Sequence, residues 1–136
     1  MEVREYKDSD YEVVSKLLED VFSVKKINKT SDDNHKELVS VIDEKVVGYI
    51  LLTRVVDYVT DKIIGKIDYF CVNEEYRNRG IGKILIKRAI DYMKKWNVSY
   101  IELTSSRSRV IARNMYEKEG FIIRDSDIFR REIIWS

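Results

Sequence analysis

Proline is absent from this chain, cysteine and histidine occur once each, and glycine only five times. The lone Cys71 has no partner for an internal disulfide and excludes a multi-cysteine metal site. With His35 as the only imidazole, zinc chemistry has almost no ligands to draw on. No apolar run approaches the roughly 20 residues of a membrane span, and the N-terminus lacks the apolar core of a signal peptide. The expectation is a soluble, cytoplasmic protein without a membrane partner. Neither a repeat nor a low-complexity linker divides the 136 residues, so a single domain, 1–136, with one sizeable core is expected. An excess of one charge sign is also missing, the net being +1, which argues against general nucleic-acid affinity.

What is present is 44% hydrophobic and 11% aromatic residues, a composition that argues against disorder, and an uneven spread of charge. Arg77, Arg79, Lys83, Lys87, Arg88, Lys94 and Lys95 stand against Asp91 alone, whereas residues 2–20 are predominantly acidic. Lys87 to Lys95 are equally well read as a solvated helix face. For Arg77, Arg79 and Lys83 a polyanion is the favoured reading.

Val3 to Tyr6 reads as a strand, and Ser9-Asp10-Tyr11-Glu12 as a capping box before a helix reaching Phe22. Residues 23–36 form a polar loop with room for one short helix. Strands follow at 37–43, 46–60 and 62–73. A helix is expected over 81–96, with Ile81, Leu85, Ala89, Tyr92 and Trp96 on one stripe. Next come a strand at 98–104, a helix at 109–119 stopped by Gly120, and strands at 121–124 and 129–135. The order β-α-(α)-β-β-β-α-β-α-β-β describes a mixed α/β fold about one sheet.

Between the strand ending at Val72 and the helix beginning at Ile81 lies Arg77-Asn78-Arg79-Gly80-Ile81-Gly82. Glycines at such a junction let the backbone approach a ligand closely. The helix's first N–H groups and its dipole favour a phosphate there, and the two arginines add positive charge. The spacing is not that of a P-loop, which needs an earlier glycine and a Ser/Thr after the lysine. Nor is it a Rossmann fingerprint, where Leu85 would have to be glycine.

Val72 through Gly82 instead resembles the acyl-CoA pyrophosphate loop of the GNAT acetyltransferases, Arg/Gln-x-x-Gly-x-Gly/Ala placed five residues after a strand valine. Ala112 to Phe121 resembles that family's later Ala-x-x-x-Tyr-x-x-x-Gly-Phe segment. The resemblance implies the element order already read, a GNAT-like acyl-CoA N-acyltransferase fold, and acetyl-CoA as co-substrate. It assigns the cofactor to the main chain of Phe70, Cys71 and Val72 and to the loop from Arg77 through Asn78, Arg79, Gly80, Ile81 and Gly82 to Lys83. One departure stands at Arg109, where many relatives carry an asparagine contacting the cofactor. Arg109 is a weaker candidate for that contact.

Acetyl transfer from a thioester to an amine needs phosphate donors, an oxyanion donor, removal of the amine's proton and an acid for the thiolate. Tyr116 matches the family's helix tyrosine and is the candidate acid; its bland reading is a packing tyrosine. The base is open between Asp68, spaced in phase with Phe70 and Val72, and Glu102. Either is equally readable as an exposed residue paired with a lysine, and water chains could carry the proton instead. Cys71 reads better as a small core residue than as a nucleophile. Asp32, Asp33, Asp125 and Asp127 lie in the loops that shape the acceptor site in the family and would suit a cationic acceptor.

The expectation is an acetyl-CoA-dependent N-acetyltransferase acting on a primary amine of a small molecule by direct attack. The alternatives are a protein N-terminal or lysine acetyltransferase and a non-catalytic acyl-CoA-binding module; a homodimer is left open.

Overall fold

The computed structural model describes residues 1–29 and 31–135. They fall into two compact units, Met1–Thr104 and a second beginning at Ser105.

The first unit is one sheet of five strands in sequence order: β1 (Glu2–Glu5), β2 (His35–Ile42), β3 (Lys45–Val56), β4 (Ile63–Val72) and β5 (Tyr100–Leu103). The first four run antiparallel and β5 pairs parallel to β4. That last pairing needs a crossover, which is supplied by α2 (Ile81–Lys94). The β2–β3 hairpin closes through Asp43 and Glu44, both at positive φ (47° and 66°), so a two-residue turn of the primed kind forms without glycine.

Each face of the sheet carries one helix. α1 (Tyr11–Phe22) lays Val14, Leu17 and Leu18 against Val39, Tyr49 and Cys71. α2 buries Ile81, Leu85, Ile86, Ala89 and Met93. Of the expected stripe Ile81, Leu85 and Ala89 are buried, whereas Tyr92 and Trp96 are only half-buried and the helix ends at Lys94. A fully buried Ile, Leu or Met side chain contributes about 1.5–3 kcal/mol. α2 packs close: a Cβ on Gly65 would lie 2.6 Å from Met93 Sδ.

The start of α1 differs from the expected capping box at Ser9. A single 3-10 turn, Asp8–Asp10, precedes the helix. Asp10 is the N-cap residue of α1 without a side-chain cap bond to it, and its carboxylate instead caps the 3-10 turn. Its Oδ2 accepts from the Lys7 N–H at 2.9 Å and from Arg4 Nη1 at 2.8 Å, while Oδ1 accepts from Arg4 Nη2. Asp10 is buried, and the Arg4 hydrogen bonds hold its carboxyl below the usual range. No short helix forms among the described residues of 23–34; Asn28, Asp32 and Asn34 favour local side-chain turns over helix, as the Asn34 N–H bond to Asp32 Oδ1 shows.

The second unit holds α3 (Val110–Lys118), ended by Gly120 at φ 93°. The strands expected at 121–124 and 129–135 do not form: residues 121–135 are in no strand or helix. Ile122, Ile123, Phe129, Ile133 and Ile134 have the composition of strands, but β-propensity is realised only against a partner, and a lone hairpin is marginal in water.

Candidate active site

β4 is not a regular strand. Tyr49 stands opposite Cys71, yet Leu51 stands opposite Asp68, so β4 carries one more residue than β3 across this stretch. The excess is a bulge at Tyr69, held at φ 54°. The bulge corrects the expected phasing of Asp68 with Phe70 and Val72. Asp68 instead shares a face with Cys71, because both oppose β3 residues two apart. Glu37 opposes Leu51 and Glu102 neighbours Lys66, which places Glu37, Asp68 and Glu102 on that same, α1-bearing face.

The β4–β5 ladder ends at Ile67 and Leu103 while β4 runs on to Val72. The sheet therefore splits beside the bulge. Beyond Val72 a 3-10 turn (Glu74–Tyr76), with Asn73 Oδ1 accepting from the Glu75 N–H, leads into the glycine loop. Asn78 (φ 64°) and Gly80 (φ 76°) are both left-handed, and the chain enters α2 with Gly80 as N-cap and no side-chain cap. The N–H groups of the first turn thus have no intrahelical acceptor.

The arginines differ in duty. Arg77 Nε donates to the Val72 carbonyl at 3.1 Å, clamping the loop back onto β4. Arg79 lies over the Tyr76 ring, 5.1 Å from its centroid. Lys83 is exposed on the first turn of α2. Uncapped amides, left-handed backbone and three cations form a donor set suited to a diphosphate.

The remaining candidates are placed as follows. Cys71 is buried against Val14, Val39 and Tyr49, so its side chain belongs to the core. Phe70 is half-buried, and Asp68 and Glu102 are exposed. In the second unit, Tyr116 is half-buried with its ring edge-on to Phe121 at 6.1 Å. Burial raises its phenol above the ordinary value, partly offset by Arg109. Arg109 is the N-cap of α3. Of the loop aspartates, Asp32 pairs with His35 Nδ1 at 2.8 Å and Asp127 with Arg107 at 3.5 Å, both on the surface.

Sequence reasoning passed over one group. Glu37, on β2, is buried, and its Oε1 accepts from Tyr49 Oη at 2.5 Å and pairs with Lys26 Nζ at 2.7 Å. Burial, then Glu37, drives the Tyr49 phenol far above its ordinary value. These residues line a cavity of about 360 Å³ that extends to Leu51 and to the bulged Tyr69. The signal was present: a glutamate directly before the apolar run Leu38-Val39.

The family model of the acetyltransferase (GNAT) family matches residues 2–121. The chain belongs to the GNAT acetyltransferase family. This GNAT acetyltransferase is similar in fold to a transcriptional regulator from Bacillus halodurans C-125 (22% identity, TM-score 0.85, 96% of this chain and 99% of the other). It is also similar to a ribosomal-protein-alanine N-acetyltransferase from Brucella melitensis biovar Abortus 2308 (21%, 0.80, 96% and 98%). An aminoglycoside acetyltransferase from an uncultured soil metagenomic sample, in complex with trehalose, is a third (16%, 0.80, 98% and 96%). At these identities the likeness is one of fold. GNAT acetyltransferases are enzymes that move an acetyl group from acetyl-CoA to an acceptor. No helix among the described residues is long and apolar enough to cross a membrane.

Proposed function

We propose that this GNAT acetyltransferase acetylates a primary amine of a small molecule by direct attack on acetyl-CoA. The observation that carries the reading is the early end of the β4–β5 ladder beside a bulged β4 that leads into an uncapped helix entrance. A pantetheine arm fits beside β4 along Phe70 to Val72, its diphosphate at Arg79 to Lys83. Direct attack is supported by Cys71, whose thiol is packed in the core and so unsuited to carry an acetyl group. A cavity of about 360 Å³ at the bulge suits a small amine or a single side chain better than a folded protein surface.

We assign Tyr116 as the acid for the leaving thiolate by its motif position. Its raised pKa keeps the phenol protonated near neutral pH, the form an acid needs. Asp68, adjoining the bulge, is the preferred base; Glu102, beside Lys66 in register, is better read as an ion-pair partner. We take 1–136 as one acetyltransferase domain, since the family match runs through both units, working in the cytoplasm without nucleic acid.

Calorimetric titration with acetyl-CoA, followed by turnover against a panel of amines, tests this reading. Micromolar binding with turnover on small amines is expected. Tight binding without turnover on any amine would leave the non-catalytic module, and absence of binding would end the account.

A further inference from the structure

Lys26 is the only amine of the loop after α1 whose side chain is nearly enclosed among the described residues; its side chain retains 8% of its exposure, and that of Glu37 11%. Its ammonium sits 2.7 Å from Glu37 Oε1, 4.7 Å from the centroid of the Tyr6 ring and 5.9 Å from that of Tyr49. The two rings meet edge to face at 6.4 Å. The Tyr49 hydroxyl fixes the carboxylate, and the Lys26 carbonyl is held by Tyr11 Oη at 2.7 Å. A carboxylate and two aromatic faces around one ammonium form a general cation cage, and this cage opens onto the cavity that ends at the bulged Tyr69.

We propose that this cage is the recognition site for the ammonium group of the acceptor, and that Lys26 is its internal occupant, displaced when the acceptor binds. The inference rests on the acetyltransferase reading and names its substrate class: a primary alkylamine whose charged group lodges at Glu37 while its chain lies along Leu51 and Tyr69. Asp32, His35, Lys25 and Lys29 also line the cavity and face the same space from the loop and from β2. Because Lys26 is tethered, it competes at high effective concentration, so an acceptor binds only to the fraction of molecules in which the cage is open.

This makes the two partners of one ion pair act in opposite directions. Losing a merely structural pair would lower stability in either variant and leave amine binding alone. The probes are n-butylamine, 1,4-diaminobutane and lysine amide, titrated into the full chain saturated with CoA and followed by backbone amide NMR. In Lys26→Met, which keeps the length and apolar stem, at least one probe should bind about tenfold or more tighter than in wild type. Its shifts should centre on Glu37, Tyr49, Leu51 and Tyr69, and it should restore the Tm lost by the variant. In Glu37→Gln the same probe should bind at least about tenfold more weakly. The double variant Lys26→Met/Glu37→Gln, which has no orphaned charge, should be insensitive to amine. Equal affinities in wild type, Lys26→Met and Glu37→Gln, or no binding of any probe to Lys26→Met, would overturn the proposal. Acetyl-CoA is titrated separately into each variant. Its failure to bind would strike the acetyltransferase reading and leave the amine result to judge the cage alone.

Discussion

Asp68 and Cys71 are three residues apart in the chain, yet they stand opposite Leu51 and Tyr49, which are two apart. The surplus residue is absorbed at Tyr69, whose φ of 54° puts a bulky side chain in the left-handed region. Such a residue is an outlier that costs on the order of 1–3 kcal/mol. Its ring packs edge-on against Phe22 at 5.4 Å, a contact that offsets part of the strain.

Replacing Tyr69 therefore separates backbone from side chain. Tyr69→Asn and Tyr69→Val both lose the Phe22 contact, but asparagine tolerates the left-handed region and valine does not. Tyr69→Val is expected to be less stable than Tyr69→Asn by about 1–2 kcal/mol, measured by urea denaturation. Equal stabilities would show that the bulge relaxes at no cost.

Gly80 is a second left-handed position, and a Cβ built there meets nothing within 4 Å. Gly80→Ala is thus strained by its conformation and not by a clash. A loss of about 1–2 kcal/mol is expected, and Gly80→Asn should lose less. Acetyl-CoA affinity should fall with the alanine variant, because relaxing φ turns the first-turn amides away from the diphosphate. Calorimetry that finds the affinity intact would remove Gly80 from the phosphate site.

Much of this architecture was legible because it follows from local rules. The first turns of the α2 stripe (Ile81, Leu85 and Ala89), the glycine loop and the Gly120 stop are period and φ effects carried by a few residues. The bulge was not legible: Tyr69 and Phe70 look like any alternating strand, and only the register with β3 shows the extra residue. For the same reason the phase given to Asp68 was wrong. The strands expected at 121–124 and 129–135 are missing for the opposite reason, since Ile122, Ile123 and Phe129 have strand propensity but propensity alone does not make a strand. Glu37 and Lys26 could not be joined from sequence, because nothing local couples a loop lysine to a strand glutamate.

The Asp10 clamp predicts a pH dependence of stability. Its carboxyl pKa lies below the ordinary 3.8, mainly through the Arg4 hydrogen bonds. A depressed pKa stabilises the fold above the unfolded value, and that stability is lost as the pH falls through the folded one. Between pH 7 and about pH 5 the contribution should be constant, then decline progressively below pH 4. Asp10→Asn should lower stability at pH 7 by about 1–3 kcal/mol and flatten the decline below pH 4. A variant with the wild-type acid profile would show that other carboxylates dominate acid unfolding.

Asp68 and Glu102 share a face of the sheet but not an environment. Glu102 stands beside Lys66 on the parallel ladder and both are exposed; an ion pair formed there would be worth about 0–1 kcal/mol. Asp68 lies past the end of that ladder, at the start of the split that the bulge creates. If the proton of the attacking amine leaves by the carboxylate nearest the split, Asp68→Asn should lower kcat/KM about 10²-fold or more. Its acetyl-CoA affinity should be unchanged. Glu102→Gln should keep kcat/KM within about twofold, as expected for a surface charge. Steady-state rates on one accepted amine, taken with both variants at saturating acetyl-CoA, decide between them. A large loss in Glu102→Gln with none in Asp68→Asn would exchange the two roles, and small losses in both would leave the proton to water.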